Sequence, residues 1–191
     1  DGIGDDRVLE NRDLLRESAR SPWEERHTMT SIKKEAISKD LAEAPAKTHQ
    51  AFEDLLNHLL PLALEQLGNR QKLVPFGGCL YEGGDCQVVV KKIGDGLPAP
   101  GAVIEELQRM LREVASKESN IVATCIVMDV KTDRPDQGSG ERVDAVALEM
   151  EDRSGWAATT YQPYSFAADG LMARDEMWAS KGEARVFEAA T

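Results

Sequence analysis

The stretch that decides the fold is IVATCIVMDV, residues 121–130, which is apolar at nearly every position. A strand of this kind is buried on both faces, so we expect it at the centre of a sheet. Residues 142–151 follow after a polar loop and alternate in hydropathy. A tight turn at 152–155 then leads into a further strand at 156–164. Strands joined by such short connections pair antiparallel, which predicts a meander over residues 121–164.

Two amphipathic helices and a hairpin precede this meander. Residues 48–67 carry apolar side chains at i, i+3, i+4 and i+7, with Thr48 as the expected N-cap and Pro61 as an expected kink or break. Residues 101–118 have the same periodicity. Between the two helices, residues 74–91 contain two β-rich runs around Gly83-Gly84, a dipeptide that favours a tight turn because glycine accepts positive φ.

The sequence therefore predicts an α+β domain with an antiparallel sheet of about five strands in the order ββαβββ. We expect this domain to span residues 48–191 and the flanking helices to cover one face of the sheet. A polar helical arm over residues 1–47 precedes it. A short helix over 168–178 and a final strand at 185–188 complete the prediction.

This order of elements resembles roadblock and profilin-like domains, in which helices flank a five-stranded antiparallel sheet. The resemblance is carried by the 48–67 helix, the 74–91 hairpin, the 101–118 helix and the 121–164 meander, about two-thirds of the chain. It is a likeness of element order and matches no family motif. It implies a dimerising or scaffolding platform, and it assigns no functional residue.

Charge restricts the partners. The chain of 191 residues has a formal net charge of -11. Nucleic acids and anionic membranes both attract basic proteins, so we expect neither as a partner. The charge permits a basic protein as the partner, although many acidic proteins carry such a charge simply to stay soluble. Self-association through the fold is the other partner we expect. Three cysteines and no apolar run of the ~18 residues that a membrane span needs indicate a cytoplasmic protein.

The chain contains no HExxH motif, no CxxC motif and no phosphate-binding loop, and we expect no cofactor. One group of carboxylates stands out. If the 132–141 loop joins two paired strands, Asp129 and Asp144 emerge close together, with Asp133 between them. Such a group can bind a divalent cation or act as acid and base, although a solvated acidic loop has the same composition.

The last predicted strand gathers aromatic residues, namely Trp156, Tyr161, Tyr164 and Phe166. Alternation places Trp156 and Tyr164 on one face and Tyr161 on the other. Aromatic side chains beside acidic ones are typical of protein-binding surfaces, although ordinary cores also use them.

Three functions fit these observations. The first is a non-enzymatic interaction protein, such as an immunity or inhibitor protein that binds a basic partner. The second is a module that binds a small molecule or a divalent metal through its acidic loop. The third is a structural oligomerisation subunit whose arm docks on a neighbour.

Overall fold

A computed structural model describes residues 43–69, 72–91, 99–134 and 142–187. The chain divides into two units, Asp1–Ile32 and Lys33–Thr191, and all described residues belong to the second. Most of the predicted arm, residues 1–42, lies outside the described part, as does Glu188 of the predicted final strand.

The described residues form two helices and seven strands. The elements are α1 (Ala46–Gly68), β1 (Phe76–Tyr81), β2 (Cys86–Val89), α2 (Pro100–Lys117), β3 (Ile121–Asp133), β4 (Arg142–Asp152), β5 (Ala157–Phe166), β6 (Met172–Arg174) and β7 (Trp178–Lys181). The predicted α+β class and the order ββαβββ are confirmed, and β6 and β7 extend the predicted sheet. No helix in these described segments is long and apolar enough to cross a membrane.

The sheet is antiparallel throughout and has β3 near its centre. The strand order is β2-β1-β3-β4-β5, with β6 and β7 both beyond β5. β7 pairs with residues 158–161 of β5, and β6 pairs with residues 164–166. Two short strands therefore share one edge of β5. Between them, the side-chain amide of Gln162 donates to the carbonyls of Pro163 and Asp175.

The two helices cover opposite faces of the sheet, so the prediction that they share one face was wrong. One cluster packs α1 against Ala123, Cys125 and Val127 of β3, whereas the other packs α2 against Ile126 and Met128. A central strand that is apolar on both faces needs a cover on each. The face beneath α1 is called the α1 face here, and the other the α2 face.

Glycines in β1 allow both helices to approach the sheet closely. A Cβ atom at Gly78 would lie 2.6 Å from Leu59 Cδ1 of α1, which is too close for two carbon atoms. At Gly77, on the opposite side of the strand, a Cβ atom would lie 3.4 Å from Leu111 of α2. The hairpin turn after β1 is closed by Gly84, whose φ of 86° favours glycine.

Two expectations for α1 concern Pro61 and Thr48. Pro61 does not break the helix, which continues to Gly68, and the kink expected as the alternative stays a prediction. Pro61 and Asn57, the residue four positions earlier, are both exposed, so the carbonyl left without a helical partner faces water. Thr48 is not the N-cap, because the helix already begins at Ala46. Its hydroxyl donates instead to the buried carboxylate of Asp152 in β4, which ties the start of α1 to the sheet.

The chain after β5 is extended, so the predicted helix over 168–178 was also wrong. Gly170, with a φ of 78°, lies in a turn, and the edge of β5 supplies the partners for β6 and β7. After β7, residues 182–187 cross the α2 face, and we call them the C-terminal segment. Residues 185–187 of this segment do not form the expected strand, because their backbone N–H groups bond to a side chain, that of Glu151.

Candidate functional site

The structure brings two predicted aromatics and two predicted carboxylates together on the α1 face. The phenol of Tyr164 donates to Asp129 Oδ1 over 2.8 Å, and its ring meets that of Phe166 edge to face, with ring centroids 5.8 Å apart. Asp144 is close enough to Tyr164 to raise its pKa. We call Asp129, Asp144, Tyr164 and Phe166 the aromatic–acidic face.

The groups of this face differ in how much water they contact. Phe166 is 45% exposed, which is high for a phenylalanine. Tyr164 is half-buried, and its pKa is raised first by that burial and then by its hydrogen bond to Asp129. Asp144 lies 3.5 Å from Lys131 Nζ in an exposed ion pair. Such a pair contributes little, so Asp144 remains available to another cation.

The other predicted site residues lie elsewhere. Asp133 forms an exposed ion pair with Arg142 over 3.7 Å. Trp156 is half-buried against the α1 cluster, and its backbone N–H donates to Asp152. Tyr161 points to the α2 face and stacks on Trp178 at 5.4 Å. Among the described residues, no three His, Cys, Asp or Glu side chains are arranged to hold a metal ion.

A polar cleft of about 220 Å³ opens on the α2 face, where α2 leaves β4, β5 and β7 uncovered. Its floor is a row of polar side chains across three strands, since Glu149 pairs with Thr159 and Thr159 with Ser180. Thr124 of β3 and Tyr161 of β5 flank this row, while Gln108 of α2 and the C-terminal segment form the walls.

The wall formed by the C-terminal segment is held by one buried carboxylate. Glu151 is 5% exposed and accepts backbone N–H bonds from Arg185, Val186 and Phe187, at 2.5, 2.7 and 2.8 Å. Three converging amides satisfy a carboxylate in the way that a helix N-terminus does. The Nε atom of Arg112 in α2 donates to the carbonyl of Arg185 and holds the segment from the other side.

Arg153 connects the same region to the end of α2. Its guanidinium donates to the carbonyls of Ala115, Glu118 and Ile121, and it lies 4.9 Å from the ring centroid of Phe187. The last carbonyls of a helix have no helical partners and carry partial negative charge. Arg153 therefore stabilises the end of α2 next to the C-terminal segment.

Of the residues that line this cleft, Tyr161 was among the predicted site residues, and the others were not. Glu149 and Glu151 break the apolar pattern of β4 at alternate positions, which is the signal that could have marked them. Their alignment with Thr159 and Ser180 follows from strand register, which the sequence does not reveal.

The three cysteines are free thiols that are poorly suited to nucleophilic chemistry. Burial raises the pKa of Cys79 to about 12 and that of Cys86 to about 11. The pKa of Cys125, inside the sheet, is also raised by burial. A thiol reacts as the thiolate, so all three are protonated and slow to react at neutral pH.

No protein-family model matches the chain, no curated protein matches it, and no solved structure matches it.

Proposed function

We propose that this protein is a non-enzymatic interaction protein whose aromatic–acidic face binds a basic segment of a partner protein. The observation that carries this proposal is the edge-to-face pair of the half-buried Tyr164 and the exposed Phe166 beside the carboxylates of Asp129 and Asp144.

The chemistry of the face suits arginine. A guanidinium group can lie over an aromatic ring while its N–H groups bond to a carboxylate, and both arrangements are available here within one patch. Asp144 already carries a cation, Lys131, at 3.5 Å, which a better placed guanidinium can replace. Binding hot spots are enriched in tyrosine and arginine, which fits a tyrosine on this face and an arginine on the partner.

The charge of the whole chain supports the same partner. A net charge of -11 accelerates the encounter with a basic surface and slows the encounter with an acidic one. An inhibitor or immunity protein that neutralises a basic protein in a reducing compartment has this chemistry and needs no catalytic residue.

Selection from a random peptide library displayed on phage tests this proposal. We expect the selected peptides to be enriched in arginine and lysine. Binding of a selected peptide should fall at least tenfold for Phe166→Ala and for Asp144→Asn. Glu53→Gln, which removes the same charge from the exposed side of α1, should change the affinity less than twofold.

Two results would count against the proposal. One is a selection without enrichment in basic residues. The other is a basic peptide that binds Phe166→Ala and Asp144→Asn as tightly as the wild type, because its site would then lie elsewhere.

A further inference from the structure

The polar cleft on the α2 face contains buried hydroxyl groups that lack partners. Thr124 is 1% exposed and Thr159 is 8% exposed, and both line the cleft. Within the described part of the chain, neither hydroxyl takes part in a hydrogen bond. Buried polar groups in proteins nearly always have a hydrogen-bond partner, which is a protein group, an ordered water or another bound molecule. Two unpartnered hydroxyls beside an open cleft therefore indicate a site for a polar molecule.

The charge in the cleft selects the kind of molecule. Glu149 is half-buried in the floor, and no described side chain donates a hydrogen bond to it. The other acidic groups are occupied, since Glu151 accepts three backbone N–H groups and Glu183 pairs with Arg185 over 2.9 Å. The pKa of the Arg185 guanidinium is raised first by its hydrogen bond to Glu183 and also by the nearby charge of Glu149. Among the described lining, Glu149 is thus the one carboxylate whose oxygens accept no hydrogen bond, and these oxygens remain open to a cation.

The size and the neighbours of Glu149 narrow the ligand further. A volume of about 220 Å³ is below the range of roughly 300–1,000 Å³ that is typical of drug-sized ligands. Tyr161 follows Thr159 on the same side of β5, and its ring is fixed by stacking on Trp178. A fixed aromatic ring beside a carboxylate suits a cation with a short aliphatic chain.

We infer that the polar cleft binds a small protonated amine, with Glu149 pairing with the ammonium group and Thr124 and Thr159 bonding to its polar atoms. This site is separate from the aromatic–acidic face, because the two lie on opposite faces of the sheet. Its ligand is a small molecule and not a protein segment.

Titration of the full chain with small amines, followed by NMR and calorimetry at pH 7, tests the inference. The probes are putrescine, ethanolamine and lysine. Two further molecules of the same chain length as putrescine serve as references, namely the neutral 1,4-butanediol and the anionic succinate. We expect at least one amine to bind saturably and to change the NMR chemical shifts of Thr159 and Tyr161. The butanediol and the succinate should bind at least tenfold more weakly.

Variants connect this binding to the cleft. Glu149→Gln keeps the shape of the side chain and should weaken amine binding at least tenfold, whereas Glu53→Gln and Phe166→Ala should leave it within twofold. Thr159→Val, which removes one hydroxyl, should weaken it severalfold. The inference is overturned if no amine saturates, if 1,4-butanediol binds as tightly as putrescine, or if Glu149→Gln binds the amines as the wild type does. Because Phe166→Ala is a control here, loss of peptide binding and loss of amine binding are distinguishable.

Discussion

Replacing Glu151 by glutamine should release the C-terminal segment from the sheet. The carboxylate accepts backbone N–H groups from Arg185 and Val186 on Oε2 and from Phe187 on Oε1. A glutamine oxygen can replace one of these two oxygens. The amide nitrogen then replaces the other, so that a donor faces a donor and at least one bond is lost.

The cost follows from these bonds. Hydrogen bonds to a charged group contribute roughly 1.5–3 kcal/mol each, and neutral ones about 0.5–1.5 kcal/mol. One bond is lost and two become neutral, while the smaller cost of burying an uncharged side chain offsets part of the loss. We therefore expect docking of the segment to weaken by about 2–4 kcal/mol, which corresponds to a 30- to 1,000-fold larger undocked population.

Limited trypsin digestion measures this population directly, because Arg185 lies inside the docked segment. Cleavage follows the open population when opening and closing are fast relative to proteolysis. We expect Glu151→Gln to be cut after Arg185 at least 30-fold faster than the wild type. Amide hydrogen exchange at residues 185–187 should accelerate by a similar factor.

Glu183→Gln is the matched control, because it removes the same charge but from an exposed residue of the C-terminal segment itself. Glu183 is 79% exposed and pairs with Arg185 at the surface, so this change should cost about 0.5 kcal/mol or less. If trypsin cuts Glu151→Gln at the wild-type rate, or cuts Glu183→Gln equally fast, the carboxylate of Glu151 does not hold the segment.

Three further predictions concern the rest of the domain. Gly78→Ala should lower the free energy of unfolding, measured by urea titration, by about 1–3 kcal/mol, because its Cβ atom would lie 2.6 Å from a leucine of α1. Gly83→Ala is the control: a Cβ atom there has nothing within 4 Å, so the free energy of unfolding should change by about 0.5 kcal/mol or less. Arg153→Met should cost about 1–3 kcal/mol and accelerate amide exchange at the end of α2, and unchanged exchange there would contradict its role. The pKa of Cys79 is raised from 9.0 to about 12, so its thiol stabilises the fold fully below pH 9 and loses that contribution as the pH rises towards 12. From pH 8 to 10 this loss should be on the order of 1 kcal/mol, and the free energy of unfolding of Cys79→Ala should depend less steeply on pH than that of the wild type. Equal pH slopes for the two proteins would refute the assignment.

The strands that could be predicted are those with a strong hydropathy signal. The apolar run at 121–130 predicts β3, because a strand buried on both faces is apolar throughout. The alternation at 142–151 predicts β4, because a strand buried on one face alternates apolar and polar residues. The segments Met172–Arg174 and Trp178–Lys181 form β6 and β7 without such a pattern. Each is short and half-exposed, and its conformation depends on the free edge of β5 rather than on its own residues.

The candidate sites also combine features that the sequence predicts with features that it does not. Strand alternation predicts that Tyr164 and Tyr161 lie on different faces, and the structure places them so. This could be predicted because the alternation of side chains depends only on neighbouring residues in the same strand. The contact between Tyr164 and Asp129 joins residues 35 positions apart in the chain and requires the register across β3, β4 and β5. Thr124, Glu149 and Thr159 likewise line one cleft only after three strands have paired.

The division of the β5 edge between β6 and β7 has a consequence for self-assembly. In a strand, the N–H and C=O groups of one residue point to the same side, so the missing N–H of Pro163 falls on the edge where the two short strands separate. Gln162 fills this gap with its side-chain amide. A foreign strand arriving at this side of the sheet meets no long row of free donors and acceptors, which protects against edge-to-edge aggregation. In the described part of the chain, the opposite edge ends in β2, a strand of four residues with the exposed Val88 on it. Aggregation by strand addition should therefore begin at β2, and a lysine at position 88 should suppress it.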